Sequence, residues 1–208
     1  MSTERTEYVL STIDQLGAVS VKQLHQILKL GTYRHTCRVI SKLEQYLHVV
    51  RSNQKIVYLN KDGRQLIGSE KEIKKTIMFD HMLLANDAYI YYGCPQDWKR
   101  EYSIEITQEP KFGAGIKIEG LTLTNKKTII PDAVFKQEWY YCFVEIDNTR
   151  TMIDNRKKIK RYQEMWTELK KRFSNPKLCI FTTSEKRKRE FVQLCGNLPH
   201  EVFTFKEI

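Results

Sequence analysis

Three carboxylates fall close together where the surrounding residues read as β-strand. Asp132 follows Pro131 in the β-rich run 128–135, and Glu145 and Asp147 close the next run, 139–147. Lys136-Gln137-Glu138 between them has hairpin length, so the two strands are expected to be antiparallel neighbours. Residues two apart on a strand share a face, which puts Glu145 and Asp147 on one side of a sheet. Charges gathered beside a core are costly unless something neutralises them. A divalent cation is one such neutraliser, and Mg²⁺ takes a few carboxylate oxygens plus water. Asp132, Glu145 and Asp147 are therefore candidate metal ligands, with Mg²⁺ as the candidate cofactor. Such an ion activates water and stabilises charge on a phosphate.

Pro131-Asp132 followed by Glu145-Ile146 resembles the PD-(D/E)XK nuclease superfamily. That superfamily has an Asp after a Pro on one strand and an acid-x-Lys on the next. Asp147 departs from the pattern, because it stands where the Lys is expected. The elements around the motif read as helix (70–92), strands (99–107, 128–136, 139–147), helix (152–173), strand (177–182), helix (185–195) and strand (201–205). Their order is similar to the nuclease core.

Helical geometry singles out one candidate for the missing cation. The apolar stripe of helix 152–173 is Ile159, Tyr162, Trp166, Leu169 and Phe173. At about 100° per residue, Lys158 lies on the side of Tyr162, whereas Lys157 and Lys160 point outward. Two readings follow. Either Lys158 supplies the catalytic charge beside Asp132, Glu145 and Asp147, or it forms a salt bridge with Asp147 and does no chemistry. His81 falls on the apolar side of helix 70–92 with Ile73, Ile77, Leu84, Ala88 and Tyr91. It reads as a buried histidine with a partner, or as a site residue beside the carboxylates. Asp80 and Asp87 read as solvent-facing or capping charges. Lys111-Phe112-Gly113-Ala114-Gly115 is a weak phosphate-cradle signal in an expected hairpin loop.

The first 68 residues carry a second set of polar residues. Residues 7–16 place Tyr8, Val9, Ile13 and Leu16 at helical spacing before Gly17. Ser20 is placed to cap a helix over 21–28, and Thr32 to cap another that runs to about Tyr46. In the latter, Thr36, Val39, Ile40 and Leu43 mark the packed side. Tyr33, Arg34, His35, Arg38 and Lys42 are left on the outer side. Strands at 48–51 and 56–59 flank the polar turn 52–55. Three helices followed by a hairpin look like a winged helix-turn-helix. Arg34, Arg38 and Lys42 form an i, i+4, i+8 stripe suited to a major groove, where Arg reads guanine and Lys or Tyr holds phosphates. Arg51 and Lys55 on the wing are candidates for the flanking backbone. The competing reading is a helical bundle with a solvated basic face. Asn60-Lys61-Asp62-Gly63 reads as a turn.

Composition bounds the function. The net charge is +10 with a sequence pI of about 9.3. Residues 151–190 hold 13 Lys/Arg against 5 acidic residues, and residues 1–68 hold 10 against 5. Basic excess in two regions suggests two contacts with a polyanion. No apolar run is long enough for a membrane span, and residues 1–7 lack signal-peptide order, so a cytoplasmic location is expected. Five scattered cysteines without a CxxC argue against a disulfide framework or a zinc site. Nothing suggests a nucleophilic triad, and the glycine pair of 113–115 is too weak a signal to establish a phosphate-binding loop.

The expected fold class is α+β. Residues 1–68 would form a winged helix-turn-helix, and residues 69–208 an α/β domain resembling the PD-(D/E)XK core. A wing-type N-terminal region, His81, Pro131-Asp132, residues 145–149 and Lys158 to Tyr162 together resemble the replication-relaxation family. That resemblance implies a DNA-associated protein of a bacterial plasmid, phage or conjugative element, acting in replication, mobilisation or its control. The basic face of the third helix makes double-stranded DNA the expected partner, with replication or mobilisation proteins and a homodimer as further candidates. Two functions remain open: a binding protein, or a Mg²⁺-dependent endonuclease or nickase using Asp132, Glu145, Asp147 and Lys158.

Overall fold

The computed structural model describes residues 2–51, 53–73, 79–108, 125–148 and 150–208. Ser52, Ile77, the glycines of 111–115 and Thr149 lie outside the described residues. The chain is mixed α and β, and its contacts divide it into Met1–Cys94 and Pro95–Ile208. No helix among the described residues is long and apolar enough to cross a membrane.

In the first unit, α1 (Thr3–Leu16) buries Val9, Leu10, Ile13 and Leu16. Tyr8, expected inside, is exposed, and Leu10 takes an inward position instead. β1 (Val19–Ser20) leads into α2 (Val21–Leu28). The Ser20 hydroxyl accepts the Gln23 N–H, and the Gln23 side chain accepts the Ser20 N–H, both at 3.1 Å. This reciprocal cap satisfies two backbone donors at the helix start. α3 (Tyr33–Lys42) opens on Thr32, whose hydroxyl accepts the His35 N–H at 3.2 Å. A short 3-10 turn, Glu44–Tyr46, ends the segment expected to be one helix. β2 (Leu47–Arg51) and β3 (Lys55–Leu59) follow, and β3 lies between β1 and β2 in an antiparallel sheet.

The residues read as a turn at 60–63 instead begin α4 (Lys61–Ile67). Asn60 caps it by accepting the Gly63 N–H at 2.9 Å, while its own amide donates to the Gln45 carbonyl at 2.7 Å. The missed signal was the Asn cap itself. Gly63 is required here by close approach, since a Cβ would sit 2.3 Å from the Tyr46 carbonyl oxygen. Gly63→Ala is therefore expected to destabilise the first unit by about 1–3 kcal/mol, because a backbone atom must move. Urea denaturation measures this, and a variant as stable as wild type would refute the close contact.

The helix expected from residue 70 is α5 (Phe79–Tyr91) among the described residues, and it belongs to the first unit. Gln23 Nε2 donates to the Leu83 carbonyl at 2.8 Å and to Asp87 Oδ1 at 2.7 Å. Asn86 Nδ2 donates to the Ala18 carbonyl at 2.9 Å. Phe79 and Leu83 join Ala18, Ile56 and Tyr58 in one apolar cluster. Tyr91, expected inside, is exposed and Leu84 is half-buried, while Leu83 and Tyr89 are buried. Apolar residues on several sides of this helix blurred its periodicity. His81 is half-buried on α5 and Asp80 is exposed. Burial raises the pKa of Asp87, against the opposing Gln23 hydrogen bond.

The second unit contains β4 (Lys99–Arg100), β5 (Ile104–Gln108), β6 (Asn125–Ile129), β7 (Ala133–Gln137) and β8 (Tyr140–Asp147). It continues with α6 (Met152–Arg172), β9 (Pro176–Thr182), α7 (Glu185–Cys195) and β10 (His200–Thr204). A five-stranded sheet has the order β10-β9-β8-β7-β4, parallel from β8 to β10 and antiparallel at β7 and β4. β5 and β6 form a separate antiparallel ribbon. The run expected as one strand over 128–136 is thus two strands in two sheets, broken at Ile130-Pro131-Asp132. Proline has no N–H to give a ladder, so the chain leaves the ribbon there and joins the sheet one residue after Asp132.

Residues from one face of the sheet (Val134, Phe143, Leu178, Ile180 and Val202) share a core with Ile159, Tyr162, Met165, Trp166 and Leu169 of α6 and Phe191 of α7. Ile104, Ile106 and Ile129 of the ribbon join the same core. Strand alternation places Glu145 and Asp147 on the same face as Phe143, under α6.

Candidate functional site

The register of β7 with β8 pairs Ala133 with Val144, so the next step brings Asp132 opposite Glu145. The two carboxylates are held differently. Asp132 Oδ2 accepts the Ile146 N–H at 2.7 Å. Glu145 Oε1 accepts the Tyr162 hydroxyl at 2.7 Å, and its Oε2 is in direct contact with the Lys158 ammonium. Lys158 and Tyr162 are one turn apart on α6, which lets one helix face grip both oxygens. The Arg150 guanidinium bridges the pair, 3.9 Å from Asp132 Oδ1 and 3.9 Å from Glu145 Oε2.

Asp147 belongs to a different arrangement. Arg187 binds it bidentately, Nε to Oδ2 and Nη2 to Oδ1, each at 2.6 Å. Thr182, paired with Asp147 in the parallel β8–β9 register, donates its hydroxyl to Oδ2 at 2.6 Å. Asn155 Nδ2 donates to Oδ1 at 2.7 Å. Arg187 Nη2 also donates to the Arg150 carbonyl at 2.8 Å, tying the loop after β8 to α7. The salt bridge considered between Lys158 and Asp147 is not formed: Lys158 takes Glu145, and Arg187 takes Asp147. Lys158 does turn inward, with its side chain 18 % exposed against 73 % for Lys157.

Glu145 is buried, and burial pushes its carboxyl up to about 7. Lys158 and the Tyr162 hydroxyl oppose that shift, while the charge of Asp132 adds to it. Tyr162 is driven well above the ordinary tyrosine value by burial and by Glu145 beside it, so it stays a neutral donor. Arg100 of β4 is lowered by burial, against the charges of Glu101 and Asp132.

These surroundings do not fit a divalent cation on Asp132, Glu145 and Asp147. Both oxygens of Glu145 and of Asp147 already accept strong donors, and Lys158, Arg150 and Arg187 supply the positive charge a metal would bring. Among the described residues no group of three His, Cys, Asp or Glu side chains is placed to hold a metal ion.

In the first unit, Tyr33, Arg34, Arg38 and Lys42 are exposed on α3, while Thr36, Val39 and Ile40 are buried. His35 is half-buried, and Arg5 Nη2 lies 3.4 Å from its Nε2. Tyr33 packs edge-on against His25. On the wing, Arg51 is exposed, whereas Lys55 pairs with Glu44 at 2.9 Å.

Sequence reasoning missed Arg150, Tyr162 and Arg187 as site residues. Arg150 stands just beyond the second acidic strand, which was a usable signal. Tyr162 belongs by spacing to the apolar stripe of helix 152–173, although its distance of one turn from Lys158 points to a shared target. Arg187 is 40 residues from Asp147 and gave no local sign.

A family model described as replication-relaxation matches residues 10–178. No curated protein and no solved structure matches the chain.

Proposed function

The chain belongs to the replication-relaxation family, and from that premise we propose that it is a DNA-binding protein of a bacterial mobile element, acting in replication, mobilisation or its control. The observation that carries the DNA contact is the exposed Tyr33, Arg34, Arg38 and Lys42 face of α3, opposite its buried side. The element order α1-β1-α2-α3-β2-β3 supports a winged helix-turn-helix, with α3 entering a major groove and the β2–β3 turn reaching the flanking backbone. Arg51 is the wing cation available for this, since Lys55 is engaged by Glu44. In the second unit, antiparallel β7–β8 followed through α6 by parallel β9 supports a core of PD-(D/E)XK type. Asp132 and Glu145 come together there with Lys158 and Arg150, two acids beside two cations. The Mg²⁺-dependent endonuclease is the weaker reading, because the donors that would bind the ion are already engaged.

The test is binding of duplex DNA to the full chain, with Arg34→Ala/Arg38→Ala as the variant. Each good bidentate base contact contributes about 1–3 kcal/mol of discrimination. The variant should lose affinity for a mapped site at least tenfold, and wild-type affinity should fall as salt rises. Equal binding by wild type and variant would remove α3 as the reading element.

A further inference from the structure

A groove of about 390 Å³ runs between α6 and the end of β6 in the second unit. Its walls carry Arg150, Lys157, Lys158 and Arg161 against a single carboxylate, Asp154, with Ile130 on the opposite side. The cations are not all spent on partners within the chain. Lys158 is held on Glu145, and Lys157 lies 3.7 Å from Asp154. Among the described residues, the Arg150 guanidinium makes two long contacts, 3.9 Å each, to Asp132 and Glu145. Arg161 donates to the neutral Thr128 carbonyl at 3.4 Å, and the acid that feels its charge, Glu164, is already bound by Lys127 at 2.7 Å. Ile130 is 48 % exposed beside this charge.

A pocket with an excess of guanidinium and ammonium groups and one apolar wall suits a phosphodiester, whose oxygens accept from Arg while its sugar lies on an aliphatic surface. We infer that this groove is a second DNA contact, in which Arg150 and Arg161 hold backbone phosphates. The inference rests on the DNA-binding reading above but not on α3. Arg150 would leave its long contacts for a phosphate oxygen, and Lys158 would stay to neutralise Glu145. The contact is independent of base sequence, because no base edge is addressed.

The experiment measures binding of a fluorescein-labelled random-sequence duplex to the full chain across a salt series. Arg150→Ala/Arg161→Ala is made in wild type and in the Arg34→Ala/Arg38→Ala background. The expected result in both is a loss of affinity of about tenfold or more, with a salt slope shallower by about two. Arg150→Lys/Arg161→Lys should retain most of that slope, since the charges remain. Unchanged affinity and slope in both backgrounds would overturn the inference. So would an equal loss with lysine and alanine, which would assign the effect to packing. Inorganic phosphate bound by wild type, with DNA affinity unaffected by the substitutions, would make this a small-anion site and also overturn it. If Arg34→Ala/Arg38→Ala alone has no effect while the groove substitutions do, the α3 reading falls and this one stands.

Discussion

Replacing Arg187 with alanine is expected to destabilise the second unit by about 3–5 kcal/mol, the usual consequence of leaving a buried charge without its partner. Asp147 is only 2 % exposed, and Arg187 supplies the two of its hydrogen bonds that come from a cationic donor. Thr182 and Asn155 would remain as neutral donors, which places the loss at the lower end of that range. Asp147→Asn in the Arg187→Ala background should recover part of it, because the uncompensated charge is then gone. Guanidinium denaturation of the set reads this directly. A loss under about 1 kcal/mol for Arg187→Ala would show that the pair behaves as a surface ion pair.

The second large effect is on pH dependence. Glu145 titrates from its ordinary value of 4.5 in the unfolded chain but near 7 in the folded one. Between these values the folded state binds the extra proton. Stability from this group therefore falls as pH rises through that window, and the full cost is present above about 7. The span corresponds to about 3 kcal/mol. Glu145→Gln removes the titration, so the stability of wild type relative to the variant should decline by that amount between pH 4.5 and 7. Asp132, Arg150, Lys158 and Tyr162 face the carboxyl and are unchanged in the comparison. Parallel curves for the two proteins would mean that Glu145 titrates alike in the folded and unfolded chain, and that burial does not raise it.

Local signals in the sequence were dependable where the physics is local. Ser20 and Thr32 cap the helices they were expected to cap, because capping is decided within three residues. Lys158 turns inward as helical geometry required. Strand alternation correctly put Glu145 and Asp147 on one face. Partner choice was not legible in this way. Which cation meets which acid depends on where β9 and α7 bring Thr182 and Arg187, and no spacing near Asp147 encodes that. The split of the run 128–136 was legible in principle, since Pro131 marks a position where a ladder loses a donor. The inward face of α5 was not, because apolar residues on several sides leave no single stripe to follow.

The Asp147 cluster also bears on how fast the unit comes apart. Asn155 is a local donor, eight residues on, but Thr182 and Arg187 lie 35 and 40 residues from the acid along the chain, with all of α6 between. Closing such a loop is costly before any contact rewards it, so this lock is expected to form late, after the transition state has gathered α6 against the sheet. An interaction absent from the transition state acts on the escape rate and not on the folding rate. Arg187 would then act chiefly as a latch on lifetime, with its removal shortening the residence of the native state while refolding proceeds at nearly the wild-type pace.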